Sequence, residues 1–148
     1  MTDDSRFPIP DSRPPFSWLI RVYWEDTDAG GVVYHASYLR FLERARSEWL
    51  RSMGVSQQAL RAESDVVFAV RSVRMEFLAP ARLDDELRAS VELTERGRAS
   101  LSFRQQLVRV ADARVLVEAE VRAACLTASG FRPRALPADL LKNNKNQE

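Results

Sequence analysis

Between Tyr23 and Arg46 the sequence reads YWEDTDAGGVVYHASYLRFLERAR and gathers residue types that can act on a carbonyl group. Two carboxylates, Asp26 and Asp28, precede the paired glycines Gly30 and Gly31, and the only histidine of the chain, His35, follows. A positioned carboxylate can attack a carbonyl carbon or take a proton from water. Paired glycines allow close backbone approach or positive φ. A helix beginning just after them offers unpaired N–H groups and a partial positive charge, both of which stabilise an oxyanion. Every one of these residues also has a structural reading. Acids ahead of a helix cap it or offset its dipole; a double glycine marks a turn; a lone histidine is commonly structural. Glu43 with Arg46 or Arg40 fits an ion pair on a helix surface. Arg132 and Arg134, in FRPRALP, either hold phosphates or decorate a loop. Residue types alone leave both readings open.

The elements that must position these groups follow from periodicity. Phe16 to Glu25 is rich in aromatic and β-branched residues and predicts a strand, ended by the turn-forming DTDAGG cluster. From Ser37 to Met53 the period changes: Tyr38, Phe41, Leu42, Ala45, Trp49 and Met53 recur at helical spacing. Gly54 follows where a helix-terminating glycine belongs, and Ser56 is placed to cap one or two further helical turns through Ala62. The second half alternates. Val73, Met75 and Phe77 form one such set; Leu87, Ala89, Val91 and Leu93 form the next. Leu101, Phe103 and Leu107 share a face interrupted by Gln105, and Val115, Val117, Ala119, Val121, Ala123 and Cys125 complete the pattern. Each predicts a strand with one buried face. The short links at Ala79–Asp85, Arg96–Arg98 and Ala111–Ala113 predict antiparallel hairpin neighbours. One strand, one long helix and about four more strands make an α+β layer fold with the helix on one sheet face.

Composition bounds the class. A chain of 148 residues with 45% apolar and 29% charged side chains predicts one soluble domain. The formal charge of +1 lacks the basic excess of a nucleic-acid binder. With Cys125 as the only cysteine, neither an intrachain disulfide nor a Cys-rich metal site can form; that residue reads as a small buried hydrophobe. Residues 1–15, with Pro8, Pro10, Pro14 and Pro15, read as an extended arm. Residues 16–137 read as the domain, and residues 138–148, polar from Lys142, as a C-terminal tail. The arm lacks the basic start and apolar stretch of a signal peptide, and no apolar run predicts a membrane span, so the expected location is the cytoplasm.

The stretch Arg21–Arg46 resembles the signature of the 4-hydroxybenzoyl-CoA thioesterase-like hotdog family. It is most similar to the acyl-CoA thioesterase subgroup associated with the Tol–Pal envelope system. The matching features are EDTDAGGVVYH (Glu25–His35), YLRFLERAR (Tyr38–Arg46), SQQAL (Ser56–Leu60), APARLDD (Ala79–Asp85) and PRALP (Pro133–Pro137). The first is highly specific, and together they span most of the chain from about residue 20.

The resemblance implies a curled antiparallel sheet of about five strands wrapped around one long central helix. It implies a homodimer or homotetramer joined sheet edge to sheet edge, with active sites at the subunit interface. It places the catalytic aspartate at Asp28 and the oxyanion donor at a backbone N–H near His35. His35 is then a secondary catalytic residue, with Tyr34 and Gly31 lining the substrate pocket and Asp26 structural. CoA carries phosphates, so Arg132 and Arg134 become candidates for holding them. The chemistry requires neither metal nor cofactor, and the thiol carrier is CoA or acyl carrier protein. Two other classes stay open at this point. One is a hotdog acyl dehydratase, which pairs a histidine with an acid; the other is a non-catalytic scaffold that binds an acyl carrier.

Overall fold

The computed structural model describes residues 15–141. The arm up to Pro14 and the segment from Lys142 lie outside the described residues. Along the chain come β1 (Phe16–Arg21), a 3-10 turn (Trp24–Asp26), α1 (Ser37–Ser52), α2 (Gln57–Ser64), β2 (Val66–Phe77), β3 (Glu86–Arg96), β4 (Ser100–Arg109) and β5 (Arg114–Thr127). The strands form one antiparallel sheet in the order β1-β3-β4-β5-β2. No helix among the described residues is long and apolar enough to cross a membrane.

The helical period and the helix agree closely. Tyr38, Phe41, Leu42, Ala45, Trp49 and Met53 are all buried, and each large side chain removed from water contributes on the order of 1.5–3 kcal/mol. Gly54 takes φ 79°, the left-handed conformation that follows a helix end. The Ser56 hydroxyl accepts the Ala59 N–H at 3.1 Å, which caps α2. The further turns expected after Ser56 form a second helix, so the sheet carries two helices and not one long helix alone: α1 packs on β1 and β3, and the shorter α2 packs on β2.

Three expectations about the sheet change. The strand predicted over Phe16–Glu25 stops at Arg21, because Asp26 Oδ2 accepts the Tyr23 N–H at 2.8 Å and winds the chain into the 3-10 turn. The link Ala79–Asp85 does not join hairpin neighbours: β2 lies at one edge beside β5, while β3 lies between β1 and β4. The face of Val73, Met75 and Phe77 is only partly buried in the single chain: Met75 packs against the core, while the other two stay exposed. Val73 is 38% exposed and Phe77 54% exposed, because β2 is an edge strand that bonds to β5 along one side only.

Gln105, the polar break in the apolar face of β4, is 0% exposed. Its Nε2 donates to Leu42 O and Ser90 O, each at 3.2 Å, and its Oε1 accepts from Arg46 Nη1 at 2.9 Å. A buried polar group is tolerable only when bonded; this one fastens α1 to β3 and β4. Arg46 is thereby drawn inward, and burial lowers its pKa. The helix-surface pair expected between Glu43 and Arg46 or Arg40 does not form among the described residues; Glu43 Oε2 instead accepts from Ser47 Oγ at 2.7 Å. Leu140 and Leu141 are buried as well, so core packing continues past Pro137.

Candidate active site

The loop from Tyr23 to Ala36 is a small hairpin. Asp28 N–H donates to Val32 O at 2.9 Å, Gly31 N–H donates to Asp28 O at 3.0 Å, and Thr27 pairs with Val33. Gly31 sits at φ 82°. A Cβ there would meet nothing within 4 Å, so it is the dihedral and not the space that calls for glycine. Gly30 N–H donates to Asp28 Oδ1 at 2.8 Å. One carboxylate oxygen of Asp28 is thus tethered by its own turn, and the side chain is exposed, with Oδ2 making no hydrogen bond among the described residues.

Asp26 differs in every respect. It is 2% exposed. Its Oδ2 accepts from Tyr23 N–H, and its Oδ1 lies 3.4 Å from Arg40 Nη2, which also donates to Ser37 Oγ at 3.0 Å. Asp26 O accepts the Tyr34 N–H at 2.9 Å. Both its side chain and its backbone hold the turn, and the two acids of EDTD divide into a buried brace and an exposed reactive candidate.

The start of α1 settles where free N–H groups are found. Ser37, Tyr38 and Leu39 N–H donate to Tyr34, His35 and Ala36 O at 2.8, 3.3 and 3.2 Å, bonds three residues back that tighten the first turn. The N–H groups of His35 and Ala36 make no hydrogen bond among the described residues. Ala36 supplies no side-chain cap. The unpaired N–H groups at the helix end therefore lie at His35 and Ala36, just ahead of the residue where the regular helix begins.

Aromatic rings pack around this point. Tyr34 and His35 have ring centroids 4.5 Å apart, and both side chains are exposed. Phe77, from the end of β2, lies edge-on to His35 and 5.8 Å from the Tyr38 ring. Tyr38 is buried, its hydroxyl accepts Ala81 N–H at 3.1 Å, and burial pushes its pKa up. The hydrogen bond from Ala81 opposes that shift, and the Asp28 charge is the smallest contributor to it. The Ala79–Asp85 link, although not a hairpin, lies against the site loop: Val33 N–H donates to Ala81 O at 2.9 Å, and Val32 pairs with Arg82. Phe77, Tyr38 and Arg82 were not singled out from the sequence for the site. The APARLDD segment was the available signal for Arg82; nothing local marks Phe77.

Arg132 and Arg134 lie elsewhere. They follow β5 at the end where Thr127 pairs with Val66, whereas Phe77 pairs with Val117 at the other end. Arg134 Nη1 donates to Ser64 O at 2.9 Å and Nε to Ala135 O at 3.1 Å, so this side chain ties down the end of α2. Among the described residues no group of three or more His, Cys, Asp or Glu is placed to hold a metal ion.

Known proteins share both this sequence and this shape. The chain is 52% identical over 130 residues to the acyl-CoA thioester hydrolase YbgC of Escherichia coli O6:H1, covering 88% of this chain and 96% of that protein. It is 42% identical over 125 residues to the acyl-CoA thioesterase YbgC of Haemophilus influenzae, covering 84% and 90%. Among solved structures, a probable thioesterase from Bartonella henselae superposes with a TM-score of 0.79 at 34% identity, covering 84% of this chain and 100% of that one. A 1,4-dihydroxy-2-naphthoyl-CoA thioesterase from Synechocystis shares the fold, with a TM-score of 0.80 at 24% identity over 88% and 95% of the two chains. The model of the thioesterase-like superfamily matches residues 22–143, and the chain belongs to that family.

Proposed function

We propose that this protein hydrolyses acyl-CoA thioesters, with Asp28 as the reacting carboxylate and backbone N–H groups at His35 and Ala36 as oxyanion donors. The observation that carries this reading is their placement on one loop. A carboxylate with one oxygen tethered by Gly30 and the other open stands on the hairpin that leads straight into unpaired N–H groups. The relatives' names supply the substrate class.

A thioester asks for little else. Its leaving thiolate has a conjugate acid near the Cys value, about 8.5, so strong protonation of the leaving group is unnecessary. Asp28 either attacks the carbonyl and forms a mixed anhydride or deprotonates a water that attacks. Either route puts negative charge on the carbonyl oxygen, where losing one positioned donor typically costs ~2.7–4 kcal/mol. His35 orients the substrate or Asp28 and donates a hydrogen bond. Tyr34, its ring tilted against that of His35, lines the acyl pocket, and Gly31 keeps that approach open.

The sheet curls around α1 as the helix at its centre, and two copies join along β2. A long edge strand exposed over residues 70–74 is a template for pairing, and antiparallel pairing of two such edges completes each site with the neighbour's surface. The dimer, or a tetramer of two dimers, acts in the cytoplasm on CoA thioesters or on acyl carrier protein, as in the Tol–Pal-associated subgroup. The experiment is hydrolysis of a panel of acyl-CoAs, followed by free-thiol release, for wild type and Asp28→Asn. The variant keeps size and polarity but removes the anionic oxygen, so kcat falls ~10²-fold or more while circular dichroism is unchanged. Near-normal turnover by Asp28→Asn overturns the site.

A further inference from the structure

Tyr38 is a phenol where the packing asks only for a ring. It is buried at the start of α1, edge-on to the Phe41 ring at 6.1 Å and tilted against that of Phe77 at 5.8 Å. Phenylalanine would make those contacts equally well. What phenylalanine lacks is the hydroxyl oxygen that accepts Ala81 N–H at 3.1 Å. Ala81 is buried too, and among the described residues its N–H has no other acceptor. A buried N–H left without a partner is destabilising, so the hydroxyl is required where Ala81 stands.

Ala81 uses its other backbone group on the site loop, where its carbonyl accepts Val33 N–H at 2.9 Å. Val33 is buried and pairs with Thr27 across the hairpin, directly before Asp28, whose N–H is held by Val32 O at 2.9 Å. Two hydrogen bonds thus run from the Tyr38 hydroxyl through both sides of Ala81 to the strand pair that carries Asp28. The backbone of Tyr38 acts on the other half of the site. Its N–H donates to His35 O at 3.3 Å, within the tightened turn that leaves the His35 and Ala36 N–H groups unpaired. A second tie from the loop to α1, Asp26 Oδ1 with Arg40 Nη2, is longer at 3.4 Å and ends on an exposed side chain.

The link that carries Ala81 is itself fixed. Leu78 and Ala79 N–H donate to Leu116 O of β5 at 2.8 and 3.2 Å. Asp84 N–H donates to Val22 O at 3.0 Å, and Val22 N–H returns a bond to Asp85 O at 2.9 Å. Asp85 Oδ2 accepts Arg82 N–H at 2.9 Å. Tied at both ends, the link transmits position to the loop and does not yield.

We propose that Tyr38 is a positioning residue for the hydrolysis: through Ala81 and Val33 it sets the distance between the Asp28 carboxylate and the unpaired N–H groups of His35 and Ala36. The inference rests on the thioesterase reading of that site. A reacting carboxylate and an oxyanion donor must address one carbonyl together, and a misplacement of about 1 Å can lower the rate ~10²-fold. Tyr38 is the residue that reaches both partners, one through its side chain and the other through its backbone.

The test is Tyr38→Phe, assayed with acyl-CoA beside Gln105→Leu, which breaks buried hydrogen bonds to α1 away from the site. In Tyr38→Phe kcat falls about ten-fold or more. KM stays within about two-fold, because the reacting groups are displaced while the surfaces that bind substrate remain. Gln105→Leu is destabilised but keeps wild-type kcat below its thermal midpoint. The pH profile of kcat keeps its shape in Tyr38→Phe at a lower plateau, since the buried phenol exchanges no proton with substrate. In wild type, native-state hydrogen exchange gives the Ala81 and Val33 amides one shared, slow opening, which tests the relay without any variant.

Wild-type kcat in folded Tyr38→Phe, or an equal loss of kcat in Gln105→Leu, makes the hydroxyl merely structural and overturns the proposal. A pH profile of altered shape overturns it by making Tyr38 a proton-transfer group. Ala81 and Val33 amides that exchange independently, at the rate of an exposed loop, overturn the relay. In each of these cases Asp28-dependent hydrolysis still stands. Wild-type protein that hydrolyses no acyl-CoA overturns the thioesterase reading and the positioning role with it.

Discussion

The Phe77 ring stands edge-on to the His35 imidazole, with centroids 6.5 Å apart and planes at 79°. Phe77 ends the exposed edge strand and His35 begins the approach to α1, so this contact joins the edge to the loop that carries Asp28. Phe77→Ala removes the surface that orients both His35 and Tyr38. Because Phe77 is itself largely exposed, the change costs little folding stability. We expect kcat/KM to fall about ten-fold or more, as for a small misplacement of catalytic groups, with a urea midpoint near wild type. Normal kcat/KM in Phe77→Ala would show that His35 is positioned without it.

Asp26 and Asp28 should separate into opposite phenotypes. Asp26→Asn disturbs a buried carboxylate that serves Tyr23 N–H and Arg40. Hydrogen bonds to charged groups contribute about 1.5–3 kcal/mol, so this variant should unfold at lower urea while keeping measurable turnover. Asp28→Asn should unfold with wild type and lose turnover. In single-turnover hydrolysis in ¹⁸O-water, label in the Asp28 carboxylate identifies the anhydride route.

Gln105→Leu keeps the volume and apolar alternation of β4 but leaves the Arg46 guanidinium without its buried acceptor. A loss of about 1.5–3 kcal/mol in unfolding free energy is expected, measured by urea denaturation. A neutral or stabilising effect would show that Arg46 finds another partner.

Burial pushes the Cys125 thiol above its usual pKa, and the side chain is fully buried. A raised pKa leaves less reactive thiolate at any given pH below it. In the folded protein the alkylation rate should keep climbing with pH beyond ~8.5, where a free cysteine levels off. In guanidinium the thiol should react at the ordinary rate. Rapid labelling of native protein at neutral pH would contradict the packing around β5.

Light scattering should report at least two chains per particle, since an obligate partner does not dissociate at micromolar concentration. Ser72 lies at the centre of the exposed run over residues 70–74. In an antiparallel pair centred there, the two Cα atoms sit about 4.5–5.5 Å apart, within disulfide range. Ser72→Cys should therefore give a disulfide-linked dimer on oxidation. A clean single-chain mass sinks the edge-pairing model.

The sequence alone determined those features whose cause is local. The apolar stripe from Tyr38 to Met53, the glycine after it, the serine that caps α2 and the alternation from Val115 to Cys125 each report which side of one element avoids water. The stripe from Tyr38 to Met53 and the face from Val117 to Cys125 are buried in the structure, and Ser56 caps α2. The EDTDAGG turn was legible for the same reason, because Gly31 answers a backbone dihedral of its own loop. Tertiary structure alone decided which elements meet. It placed Gln105 under α1 as a bonded fastener, where the sequence showed only a break in an apolar face. It left Val73 and Phe77 exposed at an edge although their alternation matches that of buried strands, and it laid the Ala79–Asp85 link against the site loop instead of closing a hairpin. It also set Arg132 and Phe77 at opposite ends of β2. Periodicity records the preference of a surface for water or for protein; the partner that covers that surface, from the same chain or a second one, is chosen by contacts far away in sequence.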